Sequence, residues 1–305
     1  MQLQSLQEFI NELSAEMYCR DHWGTPASYI PELSTVAPAQ FGITVVLDDG
    51  KIASTGESEK KFSIQSVSKI FLLSIALGRI GDALWTRVGR EPSGMSFDSI
   101  VQLEHENGRP RNPFLNAGAI VTTDALLEGR SPREALAEIL QFVRAAAEDE
   151  DIHINKRIAN SEQNTGHRNF ALANYLLSWG NLRHDPALVL GTYFHQCAIE
   201  MSTRQLARAG RYLARLSCAP HLIGSDKTRR INALMMTCGQ YDGSGEFAYK
   251  VGLPSKSGVS GAMLMIAPGK ASVAIWSPGL DGYGNSLAGT EAAQRLSTRF
   301  EWSVF

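Results

Sequence analysis

In Gly42-Ile43-Thr44-Val45-Val46-Leu47-Asp48-Asp49-Gly50-Lys51-Ile52-Ala53-Ser54, two strand-type runs flank an Asp-Asp-Gly turn signal. Asp-Gly between apolar runs is a strong sign of a β-hairpin. A second pair of runs, Gly261 to Ala267 and Ala271 to Trp276, is joined by Pro268-Gly269-Lys270 near the other end of the chain. Between them, from about Gly118 to Leu216, the periodicity is helical, as in Pro132 to Ala147, Phe170 to Leu177 and Thr203 to Leu216. Hairpins at both ends and helices in the middle predict an α/β (α+β) fold. One antiparallel sheet is built from both chain ends and flanked by helices, with an all-helical domain inserted. The expected division is 1–100 with 230–305 for the sheet domain and 101–229 for the helical domain. A site is expected in the cleft between them. No internal repeat or low-complexity stretch interrupts this layout.

Composition narrows the function classes. The chain has 305 residues, 44% hydrophobic and 20% charged, which suits a globular protein and excludes a disordered chain, a collagen or a coiled coil. Twenty-nine Lys and Arg against 31 Asp and Glu give a net charge of −2, so no overall basic field exists to hold nucleic acid. The four cysteines, Cys19, Cys197, Cys218 and Cys238, form no C-x-x-C pair and are expected as buried, reduced thiols rather than a metal site. Met1 to Ile10 lacks a basic start and an apolar core, so it is expected as a short amphipathic helix rather than an export signal. The longest apolar helical run, Ile70 to Leu77, is too short to span a bilayer. A cytoplasmic protein without membrane contact is expected.

The sharpest chemical feature is Gln65-Ser66-Val67-Ser68-Lys69, followed by Ile70-Phe71-Leu72-Leu73-Ser74-Ile75-Ala76-Leu77. A Ser and a Lys three apart on a helix share a face, so the amine can take the hydroxyl proton. With 28 Ser and nine Lys, about one Ser-x-x-Lys arises by chance in a chain this long. Ser58-Glu59-Lys60-Lys61, in a polar loop, is read as that chance match. Ser66 differs by its context, because the helix after it is apolar on nearly every side. A lysine on a buried helix is costly unless it pairs with something or carries out chemistry. Lys256-Ser257-Gly258, after the Gly252-Leu253-Pro254 turn, adds a second element. It resembles the Lys-Thr-Gly of serine acyl-transfer enzymes of the β-lactamase and penicillin-binding class, where a glycine-flanked edge strand supplies half of an oxyanion hole.

Other catalytic classes fit poorly. Gly284-Asn285-Ser286-Leu287-Ala288 has the look of a nucleophile elbow, but that arrangement needs a later histidine and the last is His221. No cysteine sits in an elbow or at residue 2. Glu104-His105-Glu106 reads as an exposed strand or loop, and the seven histidines as surface or satisfied core groups. Neither a P-loop nor a dinucleotide-binding glycine motif is present.

Taken together, several segments are similar to the serine-dependent glutaminases. They are Phe62 to Lys69, Gly89-Arg90-Glu91-Pro92-Ser93-Gly94, Asn112-Pro113-Phe114-Leu115-Asn116-Ala117-Gly118-Ala119, Ser161-Glu162 and Thr165-Gly166-His167-Arg168-Asn169. Cys238-Gly239-Gln240-Tyr241-Asp242, Gly252 to Val259, Trp276-Ser277-Pro278 and Gly284-Asn285-Ser286 continue the likeness, which runs from about Tyr29 to the C-terminus. Departures are small: Ser255 stands where Ala is usual, Gln240 where Met is usual and Ala262 where Gly is usual.

The resemblance implies a β-lactamase/DD-peptidase-like fold and hydrolysis of L-glutamine to L-glutamate and ammonia, without metal or cofactor. It implies Ser66 as nucleophile, Lys69 as base, Tyr241 as proton relay, and the N–H groups of Ser66 and Val259 as oxyanion hole. It further implies Glu162 for the substrate ammonium, and Asn116, Asn169, Tyr193 and Tyr29 as the rest of the binding pocket. A homo-oligomer, dimer or tetramer, is expected on the same ground. Two rivals are another serine acyl hydrolase of this fold and a catalytically silent binding module. The first works mostly outside the cytoplasm, and the second has no need of Ser66, Lys69 and Lys256.

Overall fold

The computed structural model describes residues 3–305. Gly50 at φ +81 and Gly269 at φ +68 each supply the left-handed turn conformation that ordinary side chains resist. They close two hairpins. In chain order the strands are β1 (Gly42–Leu47), β2 (Ile52–Gly56), β3 (Phe62–Ser63), β4 (His153–Ile154), β5 (Ile199–Met201), β6 (Ser255–Ser257), β7 (Ala262–Ala267) and β8 (Ala271–Trp276). Val46 faces Ile52 in the first hairpin and Ala267 faces Ala271 in the second. The main sheet has the order β2-β1-β8-β7-β6, antiparallel at every pairing. Both chain ends therefore contribute to one sheet, with β6 on its edge.

Strands β1, β7 and β8 are buried along their whole length, which explains their near-continuous apolar sequence. Alternate residues divide between two cores. Ile43, Val45, Met263, Met265, Val273 and Ile275 pack on one face with Leu6, Ile10, Leu13 and Leu296 of the helices Leu3–Tyr18 and Leu287–Phe300. Val46, Leu264, Ile266 and Ala274 turn to the opposite face and join the helical middle of the chain. The first helix is longer than the expected Met1–Ile10; Met1 and Gln2 lie outside the described residues.

Helix Leu287–Phe300 starts at Ser286, whose hydroxyl accepts from Gly289 N and donates to Ser277 O at 2.8 Å. Ser286→Ala is expected to lower unfolding free energy by about 1 kcal/mol. A denaturant melt checks this, and an unchanged midpoint would contradict the capping role.

Pro132–Ala147 is a helix with the expected bounds, opened by a reciprocal Ser131–Glu134 capping box. The expected Phe170–Leu177 lies inside His167–Ser178. The expected Thr203–Leu216 is two helices, Thr203–Ala209 and Arg211–Ala214, broken at Gly210. There the chain lies on the sheet: a Cβ at Gly210 would stand 2.3 Å from Ser272 Oγ and 2.7 Å from Leu264 Cδ1. Glu104-His105-Glu106 is not a strand or loop. It ends the helix Ile100–His105, which Ser99 caps by accepting from Gln102 N. The four cysteines are free, as expected, and Cys197 and Cys238 are buried, but Cys218 is half-buried and Cys19 exposed. Cys19 follows the last turn of the first helix, beside the exposed Tyr18. No helix among the described residues is long and apolar enough to cross a membrane.

A second small sheet, β3-β5-β4, pairs Phe62 with Met201 and His153 with Glu200. It ties the segment leading to Ser66 onto the helical middle, helped by Ile64 N donating to Ile199 O at 2.8 Å. The chain then enters the helix Ser68–Arg79, in which every residue from Ser68 to Leu77 is buried.

Candidate active site

Ser66 does not lie on the long helix, as its spacing to Lys69 predicts. It sits in a 3-10 turn, Gln65–Val67, immediately before it. Gln65 holds φ +46, a strained backbone for a non-glycine residue that persists only where the surroundings impose it. Ser68 Oγ, which donates to Gln65 O at 2.7 Å, is one such restraint.

The strand β6 ends against this turn. A Cβ at Gly258 would stand 2.6 Å from Ile64 O and 3.3 Å from Ser66 N, so only glycine permits the approach. Gly258 N donates to Ala262 O at 2.8 Å, closing the tight link between β6 and β7. Val259, buried, follows Gly258 directly, which places its backbone beside that of Ser66. Gly258→Ala is therefore expected to cut catalytic turnover at least about tenfold by pushing the two backbones apart. Steady-state kinetics check this, and a wild-type rate would contradict the reading of this contact.

Two lysines are fully buried here. Lys69 Nζ donates to Asn116 Oδ1 at 2.7 Å and to Phe114 O at 3.2 Å. No hydrogen bond joins it to Ser66 among the described residues, so the expected direct pair is not formed. Burial lowers its pKa to about 8, against the opposing pull of acidic groups at Cys197 and Glu162. Lys256 Nζ donates to Ser257 O at 2.7 Å and Gly239 O at 3.1 Å. Burial, and then the charge of Lys69, hold it well below the ordinary lysine range.

Tyr241 stands between these groups. Its ring lies under Lys256 Nζ, 4.3 Å from centroid to nitrogen, and packs on Phe97. Burial pushes the phenol up to about 12, while the side-chain hydroxyls of Ser66 and Ser257 favour ionisation. Tyr241 also holds φ +53. Two residues with left-handed backbones therefore lie next to the serine, Gln65 before it in the chain and Tyr241 beside its hydroxyl.

The helical middle supplies the opposite wall. Asn116 Oδ1 accepts from Lys69 and from Tyr193 OH at 3.2 Å, while Asn116 Nδ2 donates to Asn169 Oδ1 at 3.0 Å. One network thus joins four of the residues singled out in the sequence. Glu162 is buried with Oε2 lacking any hydrogen-bond partner. Burial raises its pKa to about 8, which the charge of Lys69 opposes. Tyr29 is placed at the rim, with 52% of its surface exposed. Its segment packs Ala27, Ile30 and Leu33 against Tyr241 and Val259. The structure thus brings together all nine candidate residues, Tyr29 at the edge. Cys197, expected only as a buried thiol, lies beside Lys69 and Glu162 in the site, and its burial holds it up at about 12. The wall residues Phe97 and Phe114 were not singled out in the sequence: Phe97 stands in no informative pattern, and Phe114, within the Asn112 to Ala119 segment, carries no reactive group.

An antiparallel sheet flanked by helices, with a serine-lysine turn facing a glycine-flanked edge strand, defines the β-lactamase-like class. A glutaminase family model matches residues 24–305. A glutaminase of Azorhizobium caulinodans is 58% identical over 304 residues, covering 98% of both chains. A solved probable glutaminase superposes with a TM-score of 0.94 at 32% identity, covering 100% of this chain and 99% of its own. A probable glutaminase of Bacillus subtilis gives 0.88 at 30% identity, covering 99% and 97%. The chain belongs to the glutaminase family, and so to the amidohydrolases.

Proposed function

We propose that the chain hydrolyses L-glutamine to L-glutamate and ammonia through a γ-glutamyl ester on Ser66. Ser66 Oγ attacks the side-chain amide carbon, and its proton passes to neutral Lys69. The carbon–nitrogen bond then breaks, the nitrogen leaving as ammonia with a proton relayed through Tyr241. Water attacks the ester with the same groups in reverse roles, freeing glutamate. The N–H groups of Ser66 and Val259 stabilise the oxyanion in both steps. Lys69, held by Asn116 rather than by Ser66, is taken to meet the serine proton when substrate enters, since catalytic hydrogen bonds often tighten only then.

Glu162 carries the substrate assignment. A buried carboxyl with an unpartnered oxygen is costly alone and is relieved by a cation. The α-ammonium of glutamine fits that need, while Asn116, Asn169, Tyr193 and Tyr29 receive the carboxylate and amide. The sheet portion, 1–100 and 230–305, supplies Tyr29, Ser66, Lys69, Tyr241 and Val259; the helical portion, 101–229, supplies the rest. On the resemblance, the enzyme acts without cofactor, as a cytoplasmic homodimer or homotetramer.

Ammonia release from glutamine by the purified protein, followed across pH, tests this reading. Lys69 must be neutral and Glu162 ionised, and both pKa values stand near 8. Each condition is met above its pKa, so kcat/KM is expected to climb with rising pH through about 8 to a mildly alkaline optimum. Lys69→Arg is expected to be inactive, because a guanidinium does not give up its proton. An acid optimum, or an active Lys69→Arg, would contradict the assignment.

A further inference from the structure

We infer that Asn285 is a positioning residue for the acyl-transfer step, clamping the Gln240–Tyr241 turn to the Ser257 end of β6 and so holding the Tyr241 phenol beside Ser66. The inference rests on the role given above to Tyr241.

Gly284-Asn285-Ser286 has no part in the chemistry so far, and Ser286 uses its hydroxyl to cap a helix. Asn285 is buried and every one of its polar groups is engaged. Its Oδ1 accepts from Ser257 Oγ at 2.7 Å, and its Nδ2 donates to Gln240 O at 3.0 Å. Its main-chain N donates to Asp281 Oδ1 at 3.0 Å, and its main-chain O accepts from Asp281 N at 2.8 Å. The side chain therefore bridges two segments that are distant in sequence. Ser257 is the last residue of β6, just before Gly258 and Val259, and Gln240 immediately precedes Tyr241.

That bridge falls where restraint is needed. Tyr241 holds a left-handed backbone, φ +53, which a tyrosine keeps only when its neighbours over-determine it. Other bonds share the work: Gln240 N donates to Ser244 Oγ at 3.0 Å, Ser244 Oγ donates to Tyr241 O at 2.7 Å, and Gln240 Nε2 donates to Ser255 Oγ at 2.8 Å. Ser257 N also donates to Gly239 O at 3.1 Å and Tyr241 OH to Ser257 O at 3.4 Å, and Asn285 adds the bridge from the Ser257 hydroxyl to Gln240 O. Gly284, at φ +89, also brings its backbone close to both groups. A Cβ there would lie 3.8 Å from the Tyr241 ring and 3.9 Å from Val259 Cγ1. The turn is packed tightly around the clamp, since a Cβ at Gly243 would stand 3.1 Å from Asn285 Nδ2. Asn285 acts through Tyr241, and displacement of a reacting group by about 1 Å costs about 100-fold in rate.

The test measures kcat and KM for glutamine in wild type, Asn285→Ala, Tyr241→Phe and the double variant. Asn285→Ala is expected to lose about 10- to 100-fold in kcat with KM changed less than about threefold. The double variant is expected within about threefold of Tyr241→Phe, because no phenol remains to be positioned. Asn285→Asp keeps the size and the acceptor for Ser257 but loses the donation to Gln240 O. It serves if the alanine variant does not fold, with the same expected loss in kcat. Wild-type kcat in the folded variant, a loss confined to KM, or losses that multiply in the double variant would overturn the inference. Normal Asn285→Ala beside a slow Tyr241→Phe overturns it alone. A fully active Tyr241→Phe removes the role of Tyr241 and, with it, this inference.

Discussion

Ser66→Ala is expected to fold like the parent and to lose at least about 10³ of its glutamine turnover, as removal of a covalent nucleophile does elsewhere. The substitution deletes one small hydroxyl from a buried turn, and the restraints on that turn come from Ser68 and the Gly258 contact rather than from Ser66. Thermal melts should therefore superimpose while ammonia release collapses. Two other serines are controls. Ser58→Ala, in the chance Ser-x-x-Lys, and Ser286→Ala, at the helix cap, should both keep their turnover, the second despite its loss of stability. Near-wild-type turnover in Ser66→Ala would exclude the acyl-enzyme.

Glu162→Gln is expected to lower kcat/KM for glutamine by about 10³ while leaving the fold at least as stable. Glutamine at this position matches the shape of the protonated acid, so the variant removes a costly buried charge and little packing. The des-amino analogue of glutamine should be a poor substrate for wild type, because it leaves the carboxylate unpaired. It should be little affected by the substitution, so the gap between the two compounds narrows. Asparagine keeps both charged ends but is one methylene short of Ser66 and should fail in turnover more than in binding. The charge of Glu162 raises the pKa of Lys69, so the ascending limb of the pH profile should move to lower pH in the variant. Kinetics with the three compounds on both proteins check this. A wild type that accepts the des-amino analogue as well as glutamine would remove Glu162 from the ammonium site.

Local signals carried the fold where one residue type does one thing. Asp48-Asp49-Gly50 and Pro268-Gly269-Lys270 marked the hairpins because a glycine with positive φ is needed there, and the helical periodicity of Pro132 to Ala147 marked a helix. Elements without a local signature were not legible. Strands β3, β4 and β5 have two or three residues each, too few for alternation to register. The break at Gly210 depends on Ser272 and Leu264 lying beneath it, which no window along the chain contains. The same distinction runs through the site. Ser66, Lys69 and Lys256 stand in recognisable motifs, whereas the hydrogen bonds from Lys69 to Asn116 and from Ser257 to Asn285 join residues brought together only by the folded sheet. Lys69 bonded to Asn116, rather than to Ser66, follows from this: helical spacing sets which face a side chain shares but not which acceptor wins.

The acyl-enzyme itself offers the most direct test. The protein is mixed with L-glutamine, quenched in acid within a turnover and digested, and the masses of its peptides are measured. A γ-glutamyl group on the peptide containing Ser66, lost in Ser66→Ala and undiminished in Ser58→Ala, is the predicted result. A γ-glutamyl group on another residue, or sustained turnover by Ser66→Ala without any such group, would contradict it.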